Sequence, residues 1–534
     1  MHSLWAGFGN DVAEEWRSKR VLRAPWRRSS PWLSMGLVMT LGGAPMVGMT
    51  EGTTVAATSV PTPTVSLPPT GTRGYPFPNT LEDIARQGYV QHEVLIEGTA
   101  RSYVPKSALN DIADGRWDAT PSGPTAGYKV RLIIRQPSDP AKFNGTVLVE
   151  WLNVSAGYDS DTFDGFGEYF MRAGYAYVGV SAQAGGANHL RNTWDPTRYG
   201  SLLHPGDSYS YDIFSQAARA LRAGNPAPLG NLSSRIEALV AWGGSQSGAR
   251  LFTYINSVHP TAGVIDGFIP FIAPGGAPLS QDPLPAIPVP SGAKAIIRTD
   301  SATPVLFELS ESELIRAARG IHSQQDAEHF RLWEYTGTSH ANRIGVDYTI
   351  RRLQANGVPT GVFPPCGDPP INDLSDFPVW RAMLNAMHGW LHDRRAPTGA
   401  PRVELSIPSD PDQPATIIRD PATGLAKGGI RLPDIAVPTR TLTGTRPALT
   451  LKQYPNCALF GAVDLWNADS DSWDSNAAID ISPKPEPTLV SLYGSSARYA
   501  GAVKKSADSL VAQGFLLETD AKEIAAAAKK LVFP

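Results

Sequence analysis

The chain has 534 residues, 42% of them hydrophobic and 18% charged, which is ample apolar material for a large buried core. With 50 acidic against 47 basic residues the formal charge is −3, so no basic field exists to hold a polyanion and the composition argues against nucleic acid as a partner. The two cysteines, Cys366 and Cys457, form no CxxC pair, which leaves no structural zinc or dithiol redox motif; their bridging depends on the compartment.

Arg17, Lys19, Arg20, Arg23, Arg27 and Arg28 open the chain as a basic run. The uncharged apolar stretch "PWLSMGLVMTLGGAPMVGM" follows, then a polar segment rich in Thr, Pro and Ser. Basic, apolar, then small residues is the layout of a secretory signal, with cleavage expected near Ala44 or Ala57. The apolar run approaches bilayer length, but its prolines and glycines favour a signal over an anchor. A secreted or periplasmic destination is expected, with membrane contact only through an uncleaved leader. Residues 1–70 are read as leader plus disordered linker, and 71–534 as one domain.

Strands are expected in "HEVLIEGTARSYV" and "GYKVRLIIRQP", where apolar and polar residues alternate. "NGTVLVEWLN" opens on the turn Asn144-Gly145 and becomes a nearly continuous apolar run, the pattern of a strand buried on both faces. "FGEYFMRAG" reads as a helix, "YAYVGVSAQ" as a strand and "SYDIFSQAARALRAG" as an amphipathic helix. "RIEALVAWG" is again a strand, and "SGARLFTYINSVHP" a helix stopped by Pro260. Alternating strands and helices imply parallel strands with crossover helices, an α/β class. Further on, "GVIDGFIPFI" and "TPVLFEL" read as strands, "IHSQQDAEHFRL" and "FPVWRAMLNAMHGWLHD" as helices. Between those two strands the Pro-rich segment 273–293 is a candidate lid. The rest is loop-rich until two terminal helices.

The turn between "RIEALVAWG" and its helix reads Gly243-Gly244-Ser245-Gln246-Ser247. It differs by one residue from the G-x-S-x-G nucleophile elbow, a strained strand-to-helix turn that exposes a serine. Ser245 is the expected nucleophile; an offset reading would use Ser247. A serine needs a base, and the base an orienting acid, in the chain order nucleophile, acid, histidine. Among the histidines beyond the elbow, His322 and His329 fall on the helix-like segment, and His388 and His392 on the long helix. His340 follows the strand-like "RLWEY" in a loop, where a base is required. Glu313 is the favoured acid, Glu311 the next, and Asp266 the third. The oxyanion would be met by the amides of Gln246 and of the loop after "VLVEWLN", Val154 being the candidate there. His204 and Asp207 are two ligands at most and make no metal site.

These phrases occur in an order that resembles a known group. "NGTVLVEWLNVSAG", "RYGSLLHPGDSYSYDIFSQAARAL", "GGSQSGARLFTYINSVHP", "PVLFELSESEL" and "WEYTGTSHAN" are similar to bacterial alpha/beta hydrolase domain proteins with a G-x-S-Q-S elbow. The resemblance covers roughly Tyr75 to the C-terminus. It implies the alpha/beta-hydrolase fold: a mostly parallel central sheet, helices on both faces and here a loop-rich C-terminal extension. It also implies a Ser-acid-His hydrolase with Ser245 and His340 in their roles. That group usually carries an acidic residue after the elbow glycine and a T-E-T-D phrase at the acid. Here Gly244 and Ser310-Glu311-Ser312-Glu313 stand instead. The expected activity is a serine esterase on a small-molecule or polymeric ester, without cofactor or metal. An acyltransferase, or a silent ligand-binding homologue, is the alternative.

Overall fold

The computed structural model describes residues 59–109, 112–315, 319–360, 366, 369–409, 415–446, 455–465 and 489–533. Its centre is a nine-stranded sheet. The strands are β1 (Thr64–Ser66), β2 (Tyr89–Arg101), β3 (Thr125–Pro137), β4 (Thr146–Trp151) and β5 (Ala176–Val180), then β6 (Ala238–Gly244), β7 (Gly267–Phe271), β8 (Val305–Ser310) and β9 (Phe330–Tyr335). They lie in the order β1-β2-β3-β5-β4-β6-β7-β8-β9. From β5 to β9 all neighbours are parallel. β1, β2 and β3 pair antiparallel, and β3 meets β5 antiparallel. The expected α/β class with a mostly parallel sheet is what forms.

The apolar runs form the middle of the sheet because helices cover both of its faces. Along β6, Leu239 and Ala241 enter one core while Val240 and Trp242 enter the other. The first core receives α2 (Ser210–Ala223), whose Ile213, Phe214, Ala217, Ala220 and Leu221 recur at helical spacing. It also takes Leu251 and Phe252 of α3 (Gln246–Thr253). The second core receives α1 (Gly167–Arg172) and α6 (Phe377–His392), the latter through Val379, Ala382, Met383, Met387 and Trp390. Pro378 sits in the first turn of α6, where its missing N–H costs nothing. Each such large side chain contributes roughly 1.5–3 kcal/mol when buried. The C-terminal helices α7 (Ser496–Gln513) and α8 (Glu518–Ala528) close this side through Leu510, Phe515 and Ala521.

Three expectations are corrected. The domain begins before residue 71, because β1 pairs with β2 and buries Val65 at the edge of the sheet. An edge strand tolerates the prolines around it. "IHSQQDAEHFRL" is helical only to Ser323; Phe330 onward is β9. The helix after the elbow does not end at Pro260. It passes into a wider turn over Tyr254–Val258, and Pro260 starts the short helix His259–Ala262. The segment 273–293, the candidate lid, packs against helices. Tyr211 of α2 donates to the Pro278 carbonyl at 2.9 Å, and Ala277 N–H to Ala249 of α3 at 3.0 Å.

Cys366 and Cys457 form a disulfide with Cα atoms 5.6 Å apart. It anchors the turn Pro455–Leu459 near a small antiparallel pair, β10 (Arg440–Thr443) and β11 (Ala462–Leu465). The leader expectation over residues 1–58 lies outside the described residues. Among the described residues no helix is long and apolar enough to cross a membrane.

Candidate active site

β6 runs buried between β4 and β7 and ends at the elbow. Ser245 follows with φ 57° and ψ −121°. A non-glycine residue enters that half of backbone space at a cost of about 1–3 kcal/mol, so the surroundings must hold it there. Its N–H donates to the Phe271 carbonyl at 3.0 Å, tying the elbow to the end of β7. α3 begins at Gln246, so the first amides of that helix, which have no partner within it, lie beside the serine. Ser247 is buried and donates its hydroxyl to the Gly244 carbonyl at 2.9 Å. That bond gives Ser247 a structural task at the elbow. Gly244 has a steric explanation: a Cβ there would overlap the Phe271 ring.

β8 and β9 lie side by side and deliver the other two groups. β8 ends at Ser310, which caps the single turn α4 (Glu311–Leu314). Glu313 reaches back, accepting from Ser310 N–H at 3.1 Å and from the Ser310 hydroxyl at 2.6 Å. Its second oxygen faces His340, with Nδ1 to Oε1 at 2.7 Å. His340 sits five residues beyond β9, and its own N–H donates to the Ser312 hydroxyl at 3.0 Å. Glu313 is buried while His340 keeps partial exposure. Ser245 and His340 line the same cleft.

The other candidates are placed elsewhere. Glu311 is fully buried and accepts from Gly337 N–H at 2.6 Å, Gly444 N–H at 3.1 Å and Arg419 at 3.0 Å. It fastens the loop before His340 rather than the imidazole. Asp266 accepts from Leu239 N–H at 2.6 Å, at the start of β6 and so at the end of the sheet away from the elbow. His388 and His392 share the Thr146 hydroxyl at the start of β4. His322 meets Glu334 at 2.7 Å, and His329 borders β9 beside exposed Glu328. His204 contacts the Ala182 carbonyl, and Asp207 accepts from Arg250, Gln183 and Ala184. Val154 lies in the loop that Asn153 docks on the elbow, Nδ2 donating to the Gly244 carbonyl at 3.2 Å.

Around these groups is a cleft of about 320 Å³. Its walls include α5 (Arg343–Ala355), the start of α6, and Leu459–Phe460 behind the disulfide. Sequence reading missed these walls. The nearest signal was the aromatic spacing of Phe377 and Trp380 on an otherwise ordinary amphipathic helix. Ile272, a β-branched residue at φ 43°, also lines the cleft. Arg352 of α5 holds one wall, binding Asp161 Oδ1 at 2.5 Å and Ser160 at 3.3 Å. Burial raises the Asp161 carboxyl, but Arg135 and Arg352 outweigh it and hold the group below its ordinary range. Burial pushes the Glu150 carboxyl up to about 8, aided by the Asp161 charge, although Tyr177 and Thr162 hydrogen-bond it. Burial likewise raises Asp376 to about 8, against its hydrogen bond from Asn342 at 2.9 Å. Asn342 also caps α5, so Asp376 links α6 to the helix that starts beside His340.

A profile described as the alpha/beta hydrolase domain matches residues 60–526. No curated protein matches the chain. Several solved structures do. A prolyl endopeptidase structure is 11% identical over 51% of this chain and 37% of its own, with a TM-score of 0.24. Brefeldin A esterase, a bacterial homologue of human hormone sensitive lipase, is 14% identical over 33% and 40%, with a TM-score of 0.19. An acetyl xylan esterase from Paenibacillus sp. R4 is 12% identical over 40% and 54%, with a TM-score of 0.21. The chain thus spans between 37% and 54% of the length of these three.

Proposed function

The chain belongs to the alpha/beta hydrolase domain family, and on that premise we propose that it is a serine hydrolase that cleaves carboxylic esters. The observation that carries the reading is the convergence on one cleft of Ser245, held at φ 57° in the elbow, and His340, held by Glu313 at 2.7 Å. In the proposed reaction the Ser245 hydroxyl attacks the ester carbonyl while His340 takes its proton. Glu313 keeps the proton of Nδ1 oriented and stabilises the imidazolium. The tetrahedral oxyanion is received by the amides of Gln246 and Val154. His340 then protonates the departing alkoxide, leaving an acyl-serine. Water, deprotonated by His340, attacks the acyl-serine, and as the tetrahedral intermediate collapses His340 returns the proton to the departing Ser245 oxygen and the acid is released.

Hydrolysis of p-nitrophenyl butyrate tests this. Ser245→Ala should lose on the order of 10⁴ or more in turnover with an unchanged circular dichroism spectrum. Equal turnover by the variant would refute the assignment. We also propose export to an oxidising compartment, periplasmic or extracellular. The Cys366–Cys457 bridge supports it, as does the basic-apolar-small leader. Mass spectrometry of the natively expressed protein should find a mature N-terminus between about residues 44 and 60; an intact Met1 would contradict it.

A further inference from the structure

The cleft beside Ser245 has two properties that bear on what fits it. The first is its rings. Phe271, Phe377, Trp380 and Phe460 all line it. Phe271 and Trp380 lie 5.1 Å apart between centroids, and Phe377 and Trp380 5.4 Å, so three of the four form one continuous aromatic wall. The wall reaches the elbow, because Phe271 ends β7 and its carbonyl holds the Ser245 amide. Ile272, next to it, is kept at φ 43° and adds an apolar branched side chain to the same lining.

The second property is charge. Among the described residues that line the cleft, Arg352 is the one permanent cation. Its terminal nitrogens are engaged by Asp161, Asp164 and Ser160. Glu150 and Asp376, which also line the cleft, are carboxyls that burial pushes up to about 8, so neither offers a positive charge. An entering carboxylate would therefore leave water without gaining a counter-ion, which is unfavourable. A neutral ring would lose little water and gain offset or edge contacts with the wall.

We propose that the acid part of the substrate is an uncharged aromatic group, bound against Phe271, Phe377 and Trp380, and that esters of anionic acids are rejected. This rests on the esterase reading above.

The test compares specificity constants by pH-stat titration on methyl esters, which report no bias from an aromatic alcohol. One pair is methyl phenylacetate against methyl butyrate. The other is methyl 4-carbamoylbenzoate against monomethyl terephthalate, close in shape but different in charge. Ring contacts are each worth up to about tenfold, so the phenylacetate should be preferred by about tenfold or more, and the carbamoyl ester by a larger factor over the anion. Trp380→Leu should collapse the first ratio toward one. Should that variant fail to fold, Phe377→Leu reads the same ratio. Butyrate and phenylacetate turned over alike, or the anion accepted as well as the amide, would overturn the proposal while leaving an esterase. No turnover of any ester by the wild-type protein, or equal turnover by Ser245→Ala, would defeat the esterase reading and this proposal with it.

Discussion

Two glutamates two residues apart do different work, and the distinction is geometric. Glu313 is the third residue of a one-turn helix, which carries its side chain back over Ser310 and toward His340. Glu311, at the first position, points into the loop that Gly337, Gly444 and Arg419 close around it. Glu313→Gln should cost about 10⁴ in turnover, the loss expected when the imidazole loses its orienting charge, with melting little changed. Glu311→Gln breaks a buried ion pair, which costs about 3–5 kcal/mol, and should appear first as a lower melting temperature. Paired measurements of turnover and melting decide between them; the reverse pattern would exchange their roles. Spacing from the strand end favours Glu313 over Glu311 but does not reveal what each carboxylate holds, since both follow the same strand. The turn that aims them is set by the Ser310 cap.

Gly244 shows the same logic. The resemblance leads one to expect an acidic residue there, yet the Phe271 ring occupies the space a Cβ would need. Gly244→Ala should destabilise by about 1–3 kcal/mol through overpacking. Adding Phe271→Leu should recover part of that loss. Strictly additive losses in chemical denaturation would show that the ring is not the cause.

At the scale of elements, α5 and α6 enclose the cleft and meet at Asn342 and Asp376. Asp376 holds its proton up to about 8 in the folded protein because it is buried. The unfolded chain releases that proton in the ordinary aspartate range. The native state therefore binds the extra proton between those limits, and the stability this group contributes is full at acid pH and lost as pH rises through about 8. Asp376→Asn keeps an oxygen for Asn342 and cannot ionise. Its melting temperature relative to wild type should rise between about pH 5 and about pH 9. A difference independent of pH would mean that Asp376 of the folded protein ionises below about pH 5, in the ordinary aspartate range.

The strands and helices nearest the elbow were the most legible elements. "VLVEW" and "ALVAW" read as strands buried on both faces, and the glycines between "ALVAW" and its helix mark the elbow. Elements whose identity depends on a distant partner were not legible. Thr64–Ser66 is three residues among prolines and becomes a strand only because β2 offers an edge. Residues 324–329 carry helix-forming side chains but must turn to lay β9 beside β8. The walls formed by α5, α6 and Leu459–Phe460 come from segments far along the chain from the elbow, and no local pattern reports that they meet there.

On the scale of the whole molecule, one sheet brings together residues far apart in sequence, and the disulfide fastens the last part of the cleft. Cys366 and Cys457 are separated by 91 residues, so closing that loop should contribute about 4–5 kcal/mol in the chain-entropy account. The bridged turn leads to Leu459, whose carbonyl accepts from Ala341 N–H at 2.8 Å, next to His340. Reduction, or Cys457→Ser, should lower denaturant stability and raise KM together. A loss of stability with unchanged kinetics would show that the bridge supports the fold but not the cleft.

In the proposed reaction Ser245 is the nucleophile of a working triad. Labelling the wild-type protein with a fluorophosphonate and locating the adduct by peptide mass spectrometry tests it most directly. A single adduct on Ser245 is predicted, absent from Ser245→Ala and retained in Ser247→Ala. An adduct on Ser247 or another residue, or no adduct on folded protein, would contradict it.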